Sequence, residues 1–115
     1  ANRDHAIHLL AADNGLDGCR LYGESPPDPG VPWLQFGDGT VNLDCTDGEL
    51  ESLKSRLAAF PAFTIDDIYR PEEADGVNVR ISARADPNRI AQFLDDVFLE
   101  VYELPSTVRV WAVEV

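Results

Sequence analysis

The residues of this 115-residue chain best suited to chemistry by type and spacing are Arg80, Arg84, Arg109 and Trp111. Arg80 and Arg84 alternate with apolar residues along "VNVRISARA", residues 77–85, so in an extended segment they share one side with Asn78 and Ser82. Arg109 and Trp111 alternate in the same way along the closing "TVRVWAVEV". A guanidinium offers a planar fork of donors that meets a carboxylate or phosphate bidentately and stacks on aromatic rings. The chemistry implied is therefore recognition. Asn78, Arg80, Ser82, Arg84, Arg109 and Trp111 form a candidate surface for binding a partner or a ligand.

Other constellations are weaker. His5 and His8 are spaced i, i+3 and could share a helix face, and Cys19 and Cys45 could complete a Cys₂His₂ set. The cysteines are too far apart in sequence for a finger pattern, so no metal or other cofactor is expected. "DGTVNLDCTDGE", residues 38–49, has the length of an EF-hand loop but carries Leu43 where the sixth-position glycine belongs. Gly37-Asp38-Gly39 is too short for a phosphate cradle. No serine lies in a nucleophile elbow. The carboxylate pairs Asp66-Asp67, Glu72-Glu73 and Asp95-Asp96 are adjacent in sequence, which does not make an acid/base dyad. Enzymatic activity is left open, since these residues point to no particular reaction.

The elements that must carry the candidate surface are legible from periodicity. Residues 3–12 read as a short helix, "CRLYG" as a possible strand, and the proline-rich "ESPPDPGVP" as a loop. "WLQFGDGTVNLDC" reads as a hairpin turning at Asp38-Gly39. "TDGELESLKSRLAAF" is a helix opened by a Thr46/Glu49 capping box, with Leu50, Leu53, Leu57 and Phe60 at helical spacing. "FTIDDIYR" and "VNVRISARA" are strands. Asp86 and Pro87 open a second helix, with Ile90, Phe93, Leu94, Val97, Phe98 and Val101 on one face. "STVRVWAVEV" is a final strand, apolar on both sides from Val110 and so expected to be covered on both.

From residue 40 onward the order is strand, helix, strand, strand, helix, strand. It resembles the ferredoxin-like βαββαβ plait, an α+β fold with two helices on one face of an antiparallel sheet. A single domain is expected, with residues 1–39 as a helix/hairpin extension packed on a core at 40–115. In that plait the strand at Val41 already has two neighbours. A hairpin arm at Trp33–Phe36 competes for one of those edges, so either that arm is unpaired or the strand order differs. If the strand order holds, Arg80, Arg84, Arg109 and Trp111 lie together on the face away from the helices. The cover for that face is then the first forty residues, a second subunit or a ligand.

Charge bounds the rest. There are 21 acidic residues against 9 basic ones, a formal net charge of −12, and Lys54 is the only lysine. Salt screens the self-repulsion of such a surface, with a Debye length of about 3 Å at 1 M. An Asp-rich, Lys-poor composition resembles that of cytoplasmic proteins from salt-in halophilic archaea, and the resemblance implies a cytoplasmic protein working at high salt with reduced cysteines. The opening "ANRDHAIHLL" is not expected to act as a secretory leader or membrane span. Net negative charge disfavours nucleic acid as a partner, though an acidic proteome weakens that inference. The sequence points to a protein-interaction module, as a homodimer or complex subunit using the open sheet face or a sheet edge. The alternative is a regulatory module that binds a small anion on the Arg/Trp platform.

Overall fold

A computed structural model describes residues 7, 11, 15–23, 31–73 and 75–115. Six strands, β1 (Cys19–Tyr22), β2 (Trp33–Gly37), β3 (Thr40–Cys45), β4 (Phe63–Tyr69), β5 (Val77–Ala83) and β6 (Trp111–Glu114), form one sheet. The helices α1 (Asp47–Leu57) and α2 (Pro87–Asp96) are separated by β4 and β5, and a π turn at Val97–Val101 continues α2. Among the described residues no helix is long and apolar enough to cross a membrane.

The sheet order is β4-β5-β3-β2-β1-β6, with every neighbouring pair antiparallel. The fold is α+β, as the sequence implies, but the four-stranded ferredoxin-like arrangement expected for residues 40–115 is not what forms. In that plait the last strand would sit beside β3. Here β2 takes that edge, β1 pairs with β2, and β6 pairs with β1 instead. The cause is local. Asp38 and Gly39 have φ of 52° and 72°, both positive, which is the geometry of a two-residue turn matched to strand twist. The Asp38 N–H donates to Asp17 Oδ1 at 3.0 Å, so the loop before β1 steadies the turn. Residues of the expected extension thus supply two strands of the sheet, β1 and β2.

One face of the sheet is apolar because the strands alternate. Val41, Leu43 and Cys45 on β3 and Val77, Val79, Ile81 and Ala83 on β5 are buried, as are Leu34 and Phe36 on β2. These residues form one core cluster with Leu50 and Leu53 of α1 and with Ile90, Ala91, Phe93 and Leu94 of α2. Both helices thus cover the same face. Ile7 and Ala11, both helical, are buried in the same cluster.

Caps set where the helices start. Thr46 Oγ1 accepts from Glu49 N at 3.1 Å and Glu49 Oε1 accepts from Thr46 N at 2.8 Å, which completes the capping box of α1. Asp86 accepts from Arg89 N at 2.9 Å and Pro87 occupies the first turn of α2. Side chains then tie the helices together. Arg56 of α1 grips Asp96 of α2 with two hydrogen bonds of 2.9 and 2.6 Å, and that carboxylate holds the guanidinium pKa above its ordinary value. Arg89 donates to Ala59 O at 2.8 Å, just past the end of α1, and lies over the Phe60 ring at 4.3 Å.

Phe60, Phe63 and Phe93 meet with centroid separations of 5.2 and 4.4 Å around Phe93, at the junction of helices and sheet. The Phe93→Ala variant should lose about 3–5 kcal/mol in urea unfolding, because it removes a fully buried ring from a packed trio. A loss below about 1 kcal/mol would show that this face is not core. Cys45 provides a second test. Burial first, and then Glu49, Asp44 and Asp47, push its thiol from 9.0 up to about 11. The folded state therefore holds this proton more tightly than the unfolded chain does. Its contribution to stability is intact below about pH 9 and is lost as pH rises toward about 11. Unfolding curves should show that alkaline decline, and a Cys45→Ala variant should show less of it; identical pH profiles would contradict the assignment.

Candidate functional site

The face of the sheet away from the helices is where register places the polar members of each strand. One row runs Asp67, Arg80, Asn42, Gln35, Arg20 and Val113 across all six strands. A second row includes Tyr69, Asn78 and Asp44 at one side and Trp33, Tyr22 and Trp111 at the other. Asn78, Arg80, Ser82 and Trp111 thus share one face, as alternation predicts. The N-terminal residues expected as one possible cover contribute β1 and β2 to the sheet itself.

Sharing a face does not bring these groups together. Arg80 is on β5 and Trp111 on β6, four strand positions apart, or about 19 Å at the usual spacing. Ser82 lies two residues along β5 from Arg80 and is half-buried. Arg84 is one residue past β5, exposed, with its N–H donating to Ala62 O at 3.2 Å. Arg109 lies before β6, exposed and outside any strand. Asn78 is used internally: its Nδ2 donates to Asn42 Oδ1 at 2.7 Å and to Asp44 Oδ1 at 2.9 Å. Asp67 pairs in register with Arg80. Asp66 sits at a register shift in β4, a bulge.

The interactions on this face centre on residues that were not singled out from sequence. Arg20 donates from Nε and Nη2 to Gln35 Oε1 at 3.0 and 2.7 Å, and its guanidinium lies over the Trp33 ring at 4.1 Å. Tyr22 stands between Trp33 and Trp111 in register. The signal was available in "CRLY" and "WLQF", whose alternation matches β1 and β2. It was obscured by a four-stranded expectation that left neither strand a seat.

The two edges of the sheet differ. At the β4 edge the bulge between Ile65 and Asp67 and the adjacent carboxylates of Asp66 and Asp67 interrupt the ladder. Such features block pairing with another chain. At the opposite edge, β6 has neither bulge nor proline nor lysine. The expectation that the closing strand is covered on both sides fails. All four residues of β6 are exposed, with Trp111 at 44%, Val113 at 42% and the following Val115 at 66%. The reason is position: β6 lies beyond β1, whose Leu21 is the only fully buried residue of that strand. Val108, just before it, is buried and anchors the approach.

Cys19 and Cys45 are both free, and Cys19 Sγ donates to Gly15 O at 3.0 Å. Burial, then Glu114 and Asp17, raise the Cys19 pKa as well. His5 and His8 lie outside the described residues, and among the described residues no group of three or more His, Cys, Asp or Glu is placed to hold a metal ion.

No curated protein and no solved structure matches the chain. A family model does: the family of unknown function DUF7975 matches residues 2–115. With nearly its whole length covered, the chain belongs to that family.

Proposed function

We propose that this chain is a protein-interaction module that self-associates through the free edge of β6. The observation that carries this reading is the contrast between the two sheet edges, one interrupted by a bulge and carboxylates, the other apolar and exposed. The Val115 N–H bonds inward to Gly18 O at 2.8 Å. By the alternation of an antiparallel ladder, the main-chain groups of Ala112 and Glu114 then point outward. A second copy related by a two-fold axis through Val113 places Ala112 opposite Glu114 and Trp111 opposite Val115. Main-chain hydrogen bonds form at the Ala112–Glu114 pairs, and an aromatic meets a β-branched side chain on the open face. The register also keeps the two copies of Glu114 from facing each other.

Charge sets the conditions. Each copy carries −12, so association is opposed at low ionic strength and favoured when salt shortens the Debye length from about 10 Å at 0.1 M to about 3 Å at 1 M. The resemblance to salt-adapted archaeal cytoplasmic proteins fits an interface of this kind, held by apolar contact and main-chain bonds rather than ion pairs. The anion-binding alternative has less support, because Arg80 and Trp111 stand four strand positions apart.

Light scattering across a concentration series should give a dimer at molar salt, weakening as salt is removed. Val113→Lys, which places an edge-protecting charge at the centre of the pairing, should give a monomer with unchanged circular dichroism. Asp67→Lys, on the opposite edge, should leave the dimer intact. A wild-type chain that stays monomeric at every salt and concentration, or a dimer indifferent to Val113→Lys, overturns the proposal.

A further inference from the structure

A cleft of about 600 Å³ opens at one end of the sheet, apart from the outer edge of β6. Its walls come from several elements. Tyr22 and Trp33 contribute from β1 and β2, Asp44 from the end of β3, Glu49 from the first turn of α1, and Asp75 from the turn before β5. Tyr102 closes the helix side. It leaves the π turn with its N–H bonded to Val97 O at 3.0 Å, and its hydroxyl donates to Asp44 O at 2.5 Å. A volume of this order suits a small-molecule site.

The lining decides the sign of the ligand. Among the described residues it holds three carboxylates and no Lys, Arg or His. The thiol of Cys45 and the phenol of Tyr102 are both pushed up by burial and stay neutral at pH 7, so the carboxylates set the charge. An anion is disfavoured twice over. The carboxylates repel it, and two of the N–H donors at the start of α1, those of Thr46 and Glu49, are engaged by the reciprocal cap. A bare divalent ion is disfavoured too, because these acids do not converge into a metal-holding group among the described residues. What remains is a cation with an apolar body, able to meet separated carboxylates while resting on aromatic rings. Trp33 already accepts one such cation, the Arg20 guanidinium at 4.1 Å, and Tyr22 stands beside it across the β1–β2 pair. Aromatic faces combined with carboxylates recognise organic ammonium groups.

The geometry points to this cleft as a binding site for a small organic ammonium ion, with Trp33 and Tyr22 as the stacking surface and Asp75 and Asp44 as the counter-charges.

The test uses the full chain carrying Trp111→Phe, so that Trp33 is the only tryptophan. Choline and spermidine are titrated at constant ionic strength, with sodium, magnesium and sodium phosphate as controls, and fluorescence is read. Choline or spermidine should give a saturable change that sodium and magnesium do not reproduce. Asp75→Asn should weaken the apparent affinity about tenfold, the equivalent of about 1.4 kcal/mol, and Tyr22→Leu should weaken it further than choline's charge alone explains. Asp75 lies in an exposed turn, so its substitution leaves the core untouched. A response that only follows ionic strength, an equal response to magnesium, or tighter binding of phosphate overturns the proposal. So does an Asp75→Asn variant that is folded by circular dichroism and binds choline as the wild type does. None of these outcomes depends on whether β6 pairs with a second copy.

Discussion

The turn at Asp38-Gly39 is the constraint on which the rest of the sheet depends. Its two positive φ angles bring β2 directly back along β3, and that occupies the edge of β3 which a four-stranded plait would give to the last strand. Everything outward follows from this. β1 adds to β2, and β6, arriving after the second helix, finds its place only beyond β1. A two-residue local preference thus decides the position of a strand some seventy residues later. The local turn forms with little loop-closure entropy, whereas pairing of β3 with β6 would require closing a long loop first.

The two faces of the sheet divide the work. On the helix side, alternation buries one residue in two along β3 and β5 and joins them to both helices in a single cluster. The helices are fixed to each other by Arg56–Asp96 and by Arg89 across Ala59 and Phe60. On the other side, polar contacts are local and lateral: Arg20 to Gln35 and Trp33, Asn78 to Asn42 and Asp44. Such contacts order the exposed face without covering it. A chain with eight arginines and one lysine uses guanidinium groups for these roles because a planar fork can bond and stack at once.

Much of the local structure was legible in the sequence. The capping box at Thr46/Glu49, the Asp86-Pro87 helix start, the hairpin turn and the alternation of residues 77–83 all appear where their chemistry requires. These signals lie within a few residues of one another. The second helix is legible as an apolar face but not as a change of pitch: the residues after Asp96 wind as a π turn, which side-chain periodicity alone does not encode. Strand order was the least legible feature, because it depends on which of two edges is filled first. The candidate surface shares that limit. Alternation along β5 predicts that Asn78, Arg80 and Ser82 lie together, whereas the distance from Arg80 to Trp111 is a property of the sheet order. Arg20, Tyr22 and Trp33 were hidden for the same reason.

The attachment of β6 has a consequence for assembly. It is held to the sheet by pairing Trp111–Glu114 with Cys19–Tyr22, residues some ninety positions apart in the sequence. Closing so long a loop is entropically costly, so it belongs late in folding, after the hairpins and helices have formed. An incomplete chain, or one whose interior has not yet consolidated, does not display this ribbon in its final place. The exposed apolar strip of Trp111 and Val113 is thus set in place only once two segments some ninety residues apart have met.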